Sequence, residues 1–408
     1  MSRLVSMWRG ACGIAFMGVC AHTAAAQDRA GLPTLAGAGL NYLSPSGVFQ
    51  IDLSGQLDLE AYVPQDTPPW LIPSVDPFIA GRFRLFTDIF AGQYVYALVE
   101  LRADRGEAPA HGDVEARLQQ VFVRVTPVEK VQLQAGRFAL PFGSYAERHH
   151  TVDDAFIRPP LAYDYRTLVS PTVVPAALSG FLDWKNDAQA RRAHGAPAVW
   201  NVPYPWGAML SSSPGRLALR TAVTSAAPSS SPEEWHRLRA PSYVLGASIQ
   251  VVPELRLGLA WNRGPYLADS EEGVLPLGTA REDYVQEIWN AEAVFRRGRT
   301  TLRAELFLDR WEVPNLDHDP RDVSWYVESR YNVTAGLFVA TRWNETRFNR
   351  LPLNGSAEAW DHDVRRLQMG AGYRFVQNAG VRAEYVVNRT RPVDPRDDLF
   401  AVQWWWAF

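Results

Sequence analysis

The chain has 408 residues, a formal net charge of −3, 47% hydrophobic residues and only two lysines, Lys130 and Lys185, so it offers no basic face for a nucleic-acid partner. After about the first two dozen residues no apolar run approaches the roughly 20 residues that a spanning helix needs, which excludes a membrane crossing by helices. Aromatic residues make up 12% of the chain and glycine and proline stand at 29 each, a pairing of strand formers with turn formers.

The chain opens with a secretory pattern. Arg3 and Arg9 give a basic start, Ala11 to Ala21 an apolar stretch, and Ala24-Ala25-Ala26 before Gln27 a small-residue cleavage site, so residues 1–26 read as a signal peptide. A lipoprotein reading would place the lipid on Cys20, but Val19 stands where such signals resemble a small Gly or Ala. Removal of the leader takes two arginines and no acids, leaving 39 basic against 44 acidic residues. Both cysteines, Cys12 and Cys20, go with it, and a secreted chain without disulfides must find its stability elsewhere. Residues 27–47 are expected to be a periplasmic segment ahead of the first strand.

From Phe49 to Tyr62, FQIDLSGQLDLEAY, the odd positions are mostly apolar and the even ones polar, as in a strand with one greasy and one wet face. The same period of two recurs around Val95 to Leu101, Leu302 to Leu308, Leu367 to Phe375 and Val381 to Val387. Strands are expected near 48–62, 79–90, 93–104, 113–126, 130–138, 204–212, 215–226, 241–252, 254–264, 282–296, 299–311, 321–331, 334–346, 363–376, 379–390 and 398–408. The connections alternate long and short. Transmembrane barrels have this asymmetry, and the count is about sixteen, with fourteen to eighteen allowed by uncertain boundaries. The fold class is therefore all-β, a transmembrane antiparallel barrel over 48–408, with the polar faces inward and a water-filled interior rather than a packed one. Tryptophan and tyrosine are expected near both membrane interfaces.

The last residues, Phe400, Val402, Trp404, Trp406 and Phe408, place an apolar or aromatic side chain at every second position back from the end. This resembles the closing strand of outer-membrane proteins, and the resemblance implies recognition by the barrel-assembly machinery. After the fifth strand, Gly136-Arg137-Phe138-Ala139-Leu140-Pro141-Phe142-Gly143-Ser144-Tyr145 resembles the G-[RK]-F-x-x-P-F-G-x-Y segment of a broad group of Gram-negative porins that includes the phosphate-selective O and P type. The resemblance implies a passive diffusion channel for small hydrophilic solutes or ions in the outer membrane, in contact with lipid and lipopolysaccharide. It also implies trimers, which are common in proteins of this kind. Phosphate-selective members resemble channels with a lysine cluster, and with two lysines that selectivity is not carried over.

Residues 144–203 form the longest irregular stretch, and long loops of this kind are functional more often than short ones. By comparison with general porins the stretch would fold inward and narrow the channel, with Arg148, His149, His150, Asp153, Asp154, Arg158, Asp164 and Arg166 in the constriction; the alternative is a solvated lid. A second candidate set lies on the inward register of the strands: Arg82, Arg84, Glu100, Arg102, Arg303, Glu305, Arg366, Arg374, Arg382 and Glu384, joined by Asp52, Asp58, Glu60, Arg256, Glu328, Arg330 and Arg342. Such charges either set ion preference or pair across strands and brace the wall.

No G-x-S-x-G, P-loop or H-E-x-x-H motif occurs, so no catalytic residue, cofactor or metal is assigned. Asp317-His318-Asp319 and Asp361-His362-Asp363 fall in expected extracellular loops, where solvation or divalent bridging to lipopolysaccharide is the plain reading. An outer-membrane hydrolase, and a structural sleeve or secretion channel for a partner, are the alternatives to the diffusion channel.

Overall fold

A computed structural model describes residues 40–408 except 66–70, 72, 73, 107, 108, 151–153, 238, 239, 270, 354, 393 and 396. The expected leader at 1–26 and Asp153 therefore lie outside the described residues. The strands are β1 Leu40–Leu43, β2 Phe49–Pro64, β3 Phe78–Ala91, β4 Val95–Asp104, β5 Glu115–Val128, β6 Val131–Arg137, β7 Trp206–Ser212, β8 Leu217–Thr224, β9 Ser242–Val252 and β10 Leu255–Pro265. There follow β11 Val285–Arg297, β12 Thr300–Trp311, β13 Arg321–Asn332, β14 Leu337–Phe348, β15 Arg350–Leu353, β16 Ser356–Ala359, β17 Asp363–Val376, β18 Ala379–Arg391 and β19 Leu399–Ala407.

Sixteen of these, β2 to β14 with β17 to β19, pair in sequence order and close when β19 pairs antiparallel with β2 from Leu399↔Pro64 to Ala407↔Gln56. Closure leaves no strand edge in the ring, which a bilayer demands because hydrocarbon offers no partner for a free N–H or C=O. The ladder is extended at the seam: Phe408 and Gly55 exchange backbone hydrogen bonds of 2.9 Å, and β1 continues along the same edge of β2 from Leu53 to Gln50. Residues 40–43 thus form a strand inside the stretch expected to precede the barrel.

The alternation reads directly into the wall. Leu59, Ile79, Leu259 and Trp289 point outward and are exposed, while Gln56, Asp58 and Glu60 point inward and are buried. Tyr94, Tyr331, Tyr373 and Trp406 stand on the outer surface near the end with short turns. The turns at that end cover residues 92–94, 129–130, 253–254 and 298–299, whereas the other end carries the long connections. One of these, expected as irregular, contains the β15–β16 hairpin.

The interior is more packed than an open tube. Leu161, Val169, Phe181 and Val199 of the long segment 138–205 meet Tyr266, Trp311, Phe348 and Trp360 in a buried apolar core at the long-loop end. The segment carries two short helices, Leu178–Asp183 and Ala188–His194, the second capped by the Asp187 side chain accepting from the amides of Gln189 and Ala190.

Gly136 shows how the motif at the end of β6 serves closure. Its φ is +135°, and a Cβ there would sit 2.3 Å from the Val121 carbonyl oxygen across the β5–β6 ladder. Gly136→Val should therefore cost about 1–3 kcal/mol from backbone strain alone, with the clash in addition. The expected result is a clear loss of the compact, heat-modifiable band on unheated SDS gels; a wild-type folded fraction would refute this account of Gly136 in the β5–β6 ladder.

Candidate functional site

Segment 138–205 leaves β6 and turns into the barrel instead of lying over it. Gly143 makes the turn at φ +72°, and a Cβ at this position would meet the Tyr163 hydroxyl at 2.2 Å. Just past it, the Ser144 amide donates to Glu305 on β12, whose other oxygen accepts from Tyr163 and Tyr326 hydroxyls at 2.9 Å each. A carboxylate carried inward by strand alternation is thus satisfied by the loop, and the loop is fixed by it.

The same logic repeats along the wall. Glu328 on β13 faces three guanidiniums, Arg148 of the loop at 3.2 Å, Arg303 at 2.9 Å and Arg342 at 2.7 Å. Asp154 accepts from Arg148 at 3.2 Å and Arg342 at 3.3 Å. Glu384 on β18 takes the amides of Ile157 and Arg158 at 2.6 and 2.9 Å. Asp164 is held by Arg158 at 2.6 Å and by Arg366 of β17 at 2.8 Å. Charge-assisted bonds are short and directional, so this set fixes both the depth and the rotation of the loop.

On the opposite wall, Glu147 pairs with Arg220 and with Arg256 at 3.1 Å. Burial opposes its ionisation, yet the two arginines hold its carboxyl down at about 2. His149 Nδ1 lies 2.8 Å from the Ala146 carbonyl and so donates to it, leaving Nε2 to accept from the Tyr204 hydroxyl at 2.7 Å. His150 Nδ1 accepts from Arg84 at 2.8 Å, and the two imidazole centroids are 4.0 Å apart. Burial, and after it the Arg84 guanidinium, push His149 down to about 3; burial and His149 lower His150 as well. Both rings are neutral in the folded chain.

Two of the cavities beside this loop are lined by the expected charged residues. One, of about 200 Å³, opens among Arg82, Arg84, Arg102, His149, Arg158, Asp164 and Arg166 on the long-loop side. The other, of about 410 Å³, lies at the short-turn end against Arg330, Arg374 and Trp405. Asp154 and Arg382 border both, and Arg382 donates to the Asp154 carbonyl.

The expected site residues fall into two groups. Arg82, Arg84, Arg102, His149, Asp154, Arg158, Asp164, Arg166, Arg374 and Arg382 border a cavity. Arg148, His150, Glu100, Arg303, Glu305, Arg366 and Glu384 border neither; each is bonded to another side chain of the wall or loop and belongs to the bracing network. Several partners went unread in the sequence. No local pattern singles out Tyr163, Tyr326 or Arg191, the last lying in the irregular stretch 144–203. Arg191 pairs with Asp361 at 2.7 Å, and Tyr165 also donates to Asp361 at 3.0 Å, so Asp361 is fully buried instead of solvated in an outer loop. Asp319 of the other acid-histidine run stays near the surface and pairs with Arg310 at 2.7 Å.

No family model matches the chain, and no curated protein matches it. Among solved structures the fold is that of porin barrels. OmpT, an outer membrane protein of Vibrio cholerae, superposes with a TM-score of 0.57 at 10% identity over 88% of this chain and 98% of its own. Salmonella typhi OmpF in complex with daunomycin gives 0.56 at 12% over 90% and 100%. The anion-selective porin from Comamonas acidovorans gives 0.56 at 11% over 88% and 100%.

Two outcomes follow from the site. Glu328→Gln removes the carboxylate shared by three buried guanidiniums and should destabilise the folded chain by about 3–5 kcal/mol in urea titration; a change below the error of the titration would show that the network holds nothing. The histidines set a pH dependence. An unfolded imidazole takes its proton near pH 6.5, whereas folded His149 stays neutral down to about 3. The unfolded chain therefore binds more protons between these values, and stability falls as pH drops from about 6.5 toward 3. The double variant His149→Gln, His150→Gln should flatten that slope; an unaltered slope would place its origin elsewhere.

Proposed function

We propose that this chain is an outer-membrane porin, a passive diffusion channel for small hydrophilic solutes or ions, in which segment 138–205 narrows the lumen. The observation that carries the reading is the inward loop, pinned by buried ion pairs to the wall of a closed sixteen-stranded barrel and flanked by two cavities that meet at Asp154 and Arg382. A band of outward apolar side chains suits lipid around the barrel, and the leader at 1–26 would deliver the chain across the inner membrane. Phe408 at the seam of the ring fits a role for the terminal strand in assembly. One solved structure of similar fold is described as a trimer form, and we take a homotrimer as the working assembly.

A hydrolytic reading of the acid-histidine loops has less support. Asp361 is already bonded to Arg191, Tyr165 and the Leu168 amide, a structural use that leaves it no substrate-facing oxygen.

The refolded mature chain in a planar bilayer should give discrete conductance steps, and deletion of residues 150–165 should enlarge them. A folded, heat-modifiable barrel that never conducts would overturn the channel reading. Unchanged steps after the deletion would leave the channel but remove the loop from its constriction.

A further inference from the structure

The cavity of about 410 Å³ at the short-turn end has a charge pattern that bracing does not explain. Four arginines border it, Arg299, Arg330, Arg374 and Arg382, against a single carboxylate, Asp154. That carboxylate is already engaged by Arg148 and Arg342, and Glu328, two residues along β13 from Arg330, is engaged by three guanidiniums. Arg330 donates to the Asn332 side chain at 3.3 Å and Arg299 to the Val333 carbonyl at 3.0 Å; among the described residues neither forms an ion pair with a carboxylate. Many inward arginines are paired with carboxylates, whereas these two face the cavity with neutral partners.

Aromatic rings set their orientation. The Arg330 guanidinium lies 4.1 Å from the centroid of Phe338 and that of Arg374 lies 5.4 Å from the ring of Trp405. Stacking on a ring leaves a guanidinium's N–H fork in its own plane, the geometry that grips a carboxylate or phosphate through two bonds. The cavity also has the volume of a small-molecule site, well beyond a bare inorganic anion, and the buried Phe338 and Trp405 give it an apolar side.

We propose that this cavity is a binding site for a small organic oxyanion, a carboxylate or phosphate carried on an aromatic or otherwise apolar body. The oxyanion sits at Arg299 and Arg330, and the body lies against Trp405.

Titration calorimetry on the refolded chain in nonionic detergent at low salt tests this without requiring conduction, so its result is separate from that of the channel measurement. Phenyl phosphate and benzoate, as phosphate and carboxylate probes, are set against inorganic phosphate and uncharged benzyl alcohol. The proposal expects at least one aryl oxyanion to bind about tenfold tighter than inorganic phosphate, with no binding of benzyl alcohol. It expects Arg299→Gln with Arg330→Gln to weaken that binding about tenfold or more while the heat-modifiable band is retained, and Arg216→Gln in a distant turn to leave it unchanged. Arg330→Lys, which keeps the charge without the fork, should recover part of the loss and so guards against a folding artefact. Absence of binding by either aryl oxyanion, inorganic phosphate binding as tightly as they do, or a folded double variant that binds like the wild type would each overturn it.

Discussion

Everything inside this molecule depends on the closing of one hydrogen-bonded ring. Once β19 has paired with β2, each strand has a fixed inner and outer face, and a shift by one residue would turn every charge on that strand into the bilayer. Register is thus enforced by the membrane on the outside, and the inside must accept whatever the inward positions bring. Here they bring arginine and carboxylate in quantity, Asp58, Arg84, Glu100, Glu305, Glu328, Arg342, Arg366 and Glu384 among them.

Buried charges need partners, and neighbouring strands supply only some. Arg303 and Arg342 reach Glu328 from the strands on either side of it, whereas Glu305 and Glu384 take one strand donor each, Tyr326 and Gln368, and the rest from segment 138–205 as backbone amides and a tyrosine hydroxyl. The loop in turn buries its own Arg148, Asp154 and Asp164 only because the wall offers opposite charges at matching heights. Wall and loop are therefore stable together, which is why the segment lies within the barrel despite having little regular structure. The apolar core around Trp311 and Trp360 adds a second hold at the long-loop end, where the described outer connections fold over the segment. What stays open is the space beside the loop, and its boundary is rich in arginine.

Much of this was legible in the residues. All sixteen barrel strands were placed within a few positions of their observed bounds, because period-two alternation in a one-chain barrel answers to a single demand, apolar outside and polar inside. Inward arginines and acids could be named for the same reason. Their pairing could not, since Glu305 to Tyr163 and Asp361 to Arg191 are contacts across more than a hundred residues that no local pattern encodes. The packed part of the interior was missed because the apolar residues of 138–205 follow neither helical nor strand periodicity; they form a core only once the barrel surrounds them. Asp361 beside His362 looked like a solvated loop pair for want of any sign that Arg191 would arrive from a short helix.

The claim that the lumen is a path whose narrowest part lies at Asp154 and Arg382 has one direct test. Residues 27–408 contain no cysteine, so in a chain expressed without residues 1–26 Arg382→Cys gives a single thiol at the junction of the two cavities, and Leu306→Cys gives one on the outer face as a control. Single-channel current is recorded before and after reaction with a bulky thiol reagent. The account predicts a large, lasting drop in current for the first variant and none for the second; unchanged current in a fully modified Arg382→Cys channel would contradict it.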